Sequence, residues 1–125
     1  MPEAATRPTT IAAITFDCED ARALAGFWSD VLSLPVHPGP PEASPFFARL
    51  SGGDTTPEML FLKVPEGKTA KNRVHLDLAC GDRGAEIDRL IGLGATHVHD
   101  KDGWGMTWTT LRDPEGNEFC ITDAH

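Results

Sequence analysis

Cysteine is scarce in this chain. Three thiols, Cys18, Cys80 and Cys120, are scattered over 125 residues, and no two form a CxxC pair. An odd, widely spaced set excludes a disulfide framework and a paired-thiol zinc motif. It points instead to reduced thiols in the cytoplasm. Positive charge is also short: 11 Lys and Arg stand against 19 Asp and Glu, a formal net charge of −8. That balance argues against nucleic acid and anionic membranes, whose binding requires clustered cations. The nearest approach to a cluster, Lys68, Lys71 and Arg73, reads as solvated loop charge. No apolar run is long enough to span a bilayer, and "MPEAATRPTT" at the start lacks the apolar segment of a secretion signal. The "SGGD" turn has no lysine to make it a phosphate loop.

What is present is a repeated order of elements. "TTIAAITFDC" alternates as a strand, with Ile14, Phe16 and Cys18 on one face and Ala13, Thr15 and Asp17 on the other. "EDARALAGFWSDVL" follows as a helix, because Leu24, Phe27, Trp28 and Val31 fall at i, i+3, i+4 and i+7, with Asp20 as N-cap. A proline-rich loop, then "FFARL" and "EMLFLKV" around the turn-forming "SGGDTTP", complete the first unit. The order then recurs. "RVHLDLAC" is a strand, and "GDRGAEIDRLIGL" a helix with Ile87, Leu90 and Ile91 on one face and Gly94 as its stop. "ATHVHD", "MTWTTLRD" and "EFCIT" are strands, the last two joined by the tight turn "DPEGN". A shift of 62 residues superposes Cys18 on Cys80, Asp20 on Asp82, Ala23 on Ala85, Val36 on Val98 and His37 on His99. The chain therefore reads β-α-β-β-β twice, as an internal repeat.

The expected fold class is α+β: two tandem βαβββ modules forming a cup-shaped curved sheet with helices on the outer face. Module one would span about residues 10–66 and module two about 71–124, within a domain of residues 10–125 preceded by a loose tail, 1–9. Each helix would cover one sheet face: Ile14, Phe16 and Cys18 in module one, Val74, Leu76 and Leu78 in module two. Set edge to edge, the modules would curl their other faces into a shared cup walled by Ala13, Thr15 and Asp17, by His75, Asp77 and Ala79, and by Glu118, Cys120 and Thr122.

Within that cup His75 reads as a ligand, a general base or a hydrogen-bonding wall residue. Asp77 reads as an acid, a base, a cation anchor or a rim partner of Arg73 or Lys71. Cys120 is a nucleophile or a small buried thiol. Cys18, Cys80 and Trp28 belong to the core. Phe46, Phe47, Trp104 and Trp108 are candidates to stack on a flat ligand, with Trp104 in "GWG" at a flap tip.

The motifs "DCEDARALAGFW", "KNRVHLDL" and "DPEGNEFC" resemble those of the vicinal oxygen chelate superfamily, and look closest to glyoxalase-like proteins common in actinobacteria. The likeness covers about Thr10 to Asp123. It implies a small-molecule pocket, of the kind that serves glyoxalases, epimerases, extradiol dioxygenases and bleomycin- or fosfomycin-resistance proteins, and chains that pair as homodimers. It also implies a divalent metal held by the first strand of each module and by the last. In this chain only His75 matches such a ligand. Ala13 stands at the first-strand position and Cys120 at the final Glu position, and the 62-residue shift makes Glu58 the candidate for a fourth. The resemblance thus implies a metal site largely dismantled, with Glu58, His75 and Cys120 as an altered set that Zn²⁺ or Fe could use if any metal binds, and Asp77 able to join it as a ligand or as a partner of His75. The expected function is a metal-independent pocket for a small organic ligand, with His75 and Asp77 as catalytic residues and Thr15, Phe47, Trp104, Trp108, Glu118 and Cys120 contacting the ligand. The alternatives are a metal-dependent lyase, isomerase or dioxygenase, and a non-catalytic dimerising module.

Overall fold

A computed structural model describes residues 9–37, 46–54 and 56–123. Residues 1–8 of the tail expected over 1–9, and residues 38–45 of the proline-rich loop, lie outside the described residues. The elements run β1 (Ala13–Cys18), α1 (Ala21–Leu32), β2 (Val36–His37), β3 (Phe47–Leu50), β4 (Glu58–Lys63), β5 (Leu76–Cys80), α2 (Arg83–Leu93), β6 (Thr96–Gly103), β7 (Met106–Arg112) and β8 (Glu118–Asp123). The α+β class and the two βαβββ modules are as the sequence predicts.

The repeat is visible in the caps. Asp20 and Asp82 are the N-caps of α1 and α2, each in extended conformation. Each carboxylate accepts the N–H three residues on, Ala23 at 3.0 Å and Ala85 at 3.1 Å. A side-chain oxygen here satisfies an amide that the first helical turn leaves unbonded, worth about 1 kcal/mol per cap.

The modules form two four-stranded sheets, ordered β1-β4-β3-β2 and β5-β8-β7-β6. The central parallel pairs fix the correspondence between them. In the first sheet Thr15 pairs with Leu60, and in the second Asp77 pairs with Cys120. Thr15 and Asp77 are 62 residues apart, but Leu60 and Cys120 only 60. The third strands end at Leu50 and Arg112, still 62 apart, so the loss lies in the next connector. Residues 51–57 are two more than residues 113–117. The counterpart of Glu58 is therefore Glu118, and that of Cys120 is Leu60. This corrects the pairing of Glu58 with Cys120 read from a uniform shift.

One core joins the modules. Leu24, Phe27, Trp28, Leu50, Met59, Phe61, Leu90, Leu111, Phe119 and Ile121 are all buried in a single cluster. Trp28 is its hub, with ring centroids 5.7 Å from Phe16 of β1 and 5.0 Å from Phe119 of β8. Its indole Nε1 donates to the buried Asp113 Oδ2 at 3.1 Å. Asp113 also accepts from the backbone N–H groups of Glu115 and Asn117. Glu115 reaches the start of α1, each carboxylate oxygen accepting one backbone N–H, from Glu19 and from Asp20, at 2.9 Å. "DPEGN" is thus a tight turn, as predicted, and in addition a clamp holding module two on the first helix.

Two residues expected under helices lie outside. Val74 is 80% exposed, because β5 begins only at Leu76. Ile91 is exposed because α2 buries fully only Leu90, with Ile87 half-buried. Among the described residues no helix is long and apolar enough to cross a membrane.

Candidate functional site

A hollow of about 1100 Å³ opens on the face of the second sheet opposite the core. Strand alternation builds it: Phe119 and Ile121 turn into the core, so Glu118, Cys120 and Thr122 turn out. His75, just before β5, and Asp77 within it line the same wall. The His75 Nε2 lies 3.3 Å from the Asp77 Oδ1. Cys120 faces Asp77 across the ladder and is buried, with its Sγ 3.3 Å from the Thr110 Oγ1. One donor atom from each of His75, Asp77 and Cys120 lies within 4.8 Å of the other two.

Glu118 is present but occupied. Its carboxylate accepts the backbone N–H of Asn72 at 3.0 Å and meets Arg112 at 3.3 Å and Lys68 at 3.6 Å. Burial alone would raise its pKa, but the Asn72 amide, the Arg112 guanidinium and the Lys68 ammonium hold it below the ordinary value. It anchors the 68–72 connector as one rim of the hollow.

The opposite rim is aromatic. β6 and β7 form a hairpin in which Gly103 pairs with Met106, leaving Trp104 and Gly105 as a two-residue turn. Both have positive φ, 49° and 75°. Positive φ at both central residues marks a type I′ turn, which suits Asn-Gly and penalises a bulky first residue by about 1 kcal/mol or more. Trp104 nonetheless stands there, 91% exposed, its ring nearly parallel to that of Trp108 with centroids 6.1 Å apart.

The predicted site residues therefore divide. His75, Asp77, Trp104, Trp108, Glu118 and Cys120 line one hollow. Thr15, Phe47 and Glu58 do not: they lie on the first sheet, where Glu58 pairs with Arg49 at 3.6 Å. This hollow is lined only by the second module and the connector leading into it, because Trp28 joins Phe16 to Phe119 and so places the first sheet on the Phe119 side of β8. Cys120 and the hollow are on the other side. Sequence reasoning missed Val98, His99, Lys101, Met106, Thr110 and Arg112, which also line it. Period-two alternation along β6 and β7 carried a signal for most of them. A bulge between His97 and His99 breaks that alternation and brings Val98 in as well.

Cys18 and Cys80 are structural thiols. Burial, with the carboxylates of Glu115, Asp20, Asp17 and Asp113 nearby, pushes Cys18 up to about 11. Burial also raises Cys80, with Asp123 adding to the effect. High pKa values keep them protonated and unreactive.

A metal would find an imidazole, a carboxylate and a thiol at His75, Asp77 and Cys120. Three such donors with a fourth position open suit Zn²⁺ and fall short of the oxygen-rich octahedron that Mg²⁺ prefers. Of the residues expected from the sequence as an altered ligand set, His75, Asp77 and Cys120 come together here and Glu58 has no part in the group.

A family model described as a glyoxalase-like domain matches residues 13–122. Among proteins of curated function, none matches the chain in sequence. Solved structures share the fold. A glyoxalase/bleomycin resistance protein/dioxygenase family enzyme from Burkholderia phytofirmans PsJN is 18% identical with TM-score 0.74, covering 94% of this chain and 100% of that one. The bleomycin-binding protein of Streptomyces verticillus, complexed with copper(II)-bleomycin, is 18% identical with TM-score 0.62, covering 94% and 98%. A fosfomycin resistance protein from Listeria monocytogenes, complexed with Mn(II) and a dihydroxypropylphosphonic acid, is 8% identical with TM-score 0.73, covering 92% and 90%. At these identities the likeness is one of fold.

Proposed function

Because this chain belongs to the glyoxalase-like domain family of the vicinal oxygen chelate superfamily, we propose that its second-sheet hollow binds a small, partly apolar organic ligand without needing a metal. One observation carries the reading: a single open cavity of about 1100 Å³ has two indoles at one rim and a contacting His–Asp pair in its wall. Ligand pockets combine apolar wall with a few convergent polar groups in this way. A module that served only to pair chains would fill such a hollow with its own side chains.

The chemistry on offer is proton transfer. Asp77, held against His75 Nε2 at 3.3 Å, favours the tautomer with its proton on that nitrogen. Nδ1 is then the basic site, able to take a proton from a bound ligand, and Asp77 steadies the imidazolium that results. The protein thus either sequesters its ligand or performs simple acid–base chemistry on it. Thr15, Phe47 and Glu58 have no part in this reading. Glu118 takes part through the rim it holds.

The donor group of His75, Asp77 and Cys120 favours a second reading. Zn²⁺ held there would supply Lewis-acid polarisation of a ligand oxygen, as a metal-dependent lyase or isomerase needs, whereas a dioxygenase would need redox-active Fe in its place.

The reading includes a homodimer in the cytoplasm. Ile11 and Val74, 75% and 80% exposed, precede β1 and β5, each at the edge of its sheet. Exposed aliphatics beside open strand edges suit a second copy, and three free thiols suit a reducing compartment. Thermal melting against aldehydes, thiol adducts, catechols and antibiotics, with and without chelator, tests the main reading. A saturable rise in melting temperature that survives chelation supports it; a panel with no shift at all overturns it.

A further inference from the structure

We propose that the ligand class is a flat organic anion, an aromatic or conjugated carboxylate, with Lys101 as its counter-ion. The inference rests on the hollow being a small-molecule site and adds the sign of the charge it selects. Charge is not spread evenly over this acidic chain. The hollow takes four of the eleven cations, Lys68, Lys71, Lys101 and Arg112, but only three of the nineteen carboxylates, Asp77, Glu115 and Glu118.

Those three carboxylates are already engaged. Glu115 accepts the amides of Glu19 and Asp20, Glu118 is held by Asn72, Arg112 and Lys68, and Asp77 faces His75. Lys101 is not: among the described residues no ion pair involves it. Its sequence neighbours are both acids, but they are turned to other partners. Asp100 accepts from the Thr109 hydroxyl and meets His97, and Asp102 accepts from the Thr107 hydroxyl.

Lys101 pairs directly with Trp108 across the β6–β7 ladder, and Trp108 is stacked on Trp104. An uncompensated ammonium therefore stands beside an aromatic platform. Indole faces attract flat rings of any charge and cations in particular. The ammonium reverses that last preference, repelling a cationic ring and holding an anionic one by a charge-assisted hydrogen bond. Lys71 offers a second positive charge at the opposite rim for a longer ligand.

The test is binding of naphthalene carboxylate, naphthalene carboxamide and naphthylmethylammonium to the full chain, followed by tryptophan fluorescence at low and high salt. The expected order is carboxylate first, the amide roughly tenfold weaker and the ammonium weakest. Salt should narrow the gap, and Lys101→Gln should bring the carboxylate down to the level of the amide. Equal binding of all three, tighter binding of the ammonium, or a carboxylate preference that survives Lys101→Gln overturns the charge inference and leaves the small-molecule site standing. If none of the three binds, the flat-anion inference fails, and the small-molecule reading fails with it only where the melting panel also shows no shift.

Discussion

Asp77 lies directly across the parallel β5–β8 ladder from Cys120, and the His75 imidazole is 3.3 Å from the Asp77 carboxylate. The ladder register therefore assembles three reactive groups from two distant stretches of chain. A slip of one residue in β8 would turn Phe119 into the hollow and Cys120 into the core.

That trio decides between the two readings of the site. Chain purified without chelator should carry no stoichiometric Zn²⁺ by elemental analysis, and chelator should leave its melting temperature unchanged. One Zn²⁺ per chain, lost in both His75→Ala and Cys120→Ala, would replace the metal-free reading with the metal-dependent one.

Trp104 separates binding from stability. Asn is the preferred residue at the first central position of a type I′ turn, so Trp104→Asn should melt at or above the wild-type temperature. Loss of the stacked ring should weaken naphthalene carboxylate binding by roughly tenfold in a fluorescence titration. A variant that melts lower and binds normally would assign Trp104 to packing.

Trp28→Phe tests the clamp between modules. It keeps an aromatic ring among Phe16, Phe27 and Phe119 but removes the indole donor to buried Asp113. The expected loss is about 1–3 kcal/mol by urea unfolding. Trp108→Phe, on the hollow side, should cost less.

Glu118 makes an acid-dependent contribution. Its folded pKa lies below the ordinary 4.5, burial notwithstanding, because Asn72, Arg112 and Lys68 favour the charged form. A depressed carboxylate stabilises the fold fully above its unfolded pKa, and the stabilisation is lost as pH falls through the folded value. Wild type should therefore lose stability below about pH 4.5 more steeply than Glu118→Gln, as read from melting curves between neutral and acid pH.

The sequence determined what local chemistry can carry: helices from the spacing of Leu24, Phe27, Trp28 and Val31, caps at Asp20 and Asp82, strand faces from alternation, and from these two βαβββ units. Part of the candidate site was legible on the same basis, since His75, Asp77, Glu118 and Cys120 face the hollow by parity alone. What parity cannot tell is how one sheet is placed against another. That was decided by Trp28, whose ring touches both Phe16 and Phe119 and whose Nε1 reaches Asp113, 85 residues away. This contact set the first sheet behind the second, so that Thr15, Phe47 and Glu58 do not line the hollow. The two-residue difference between the connectors 51–57 and 113–117 did the rest, giving Glu58 the counterpart Glu118 and leaving Cys120 opposite Asp77. Packing between distant segments depends on shape and on buried hydrogen bonds made only once the chain has closed, and a linear pattern holds neither.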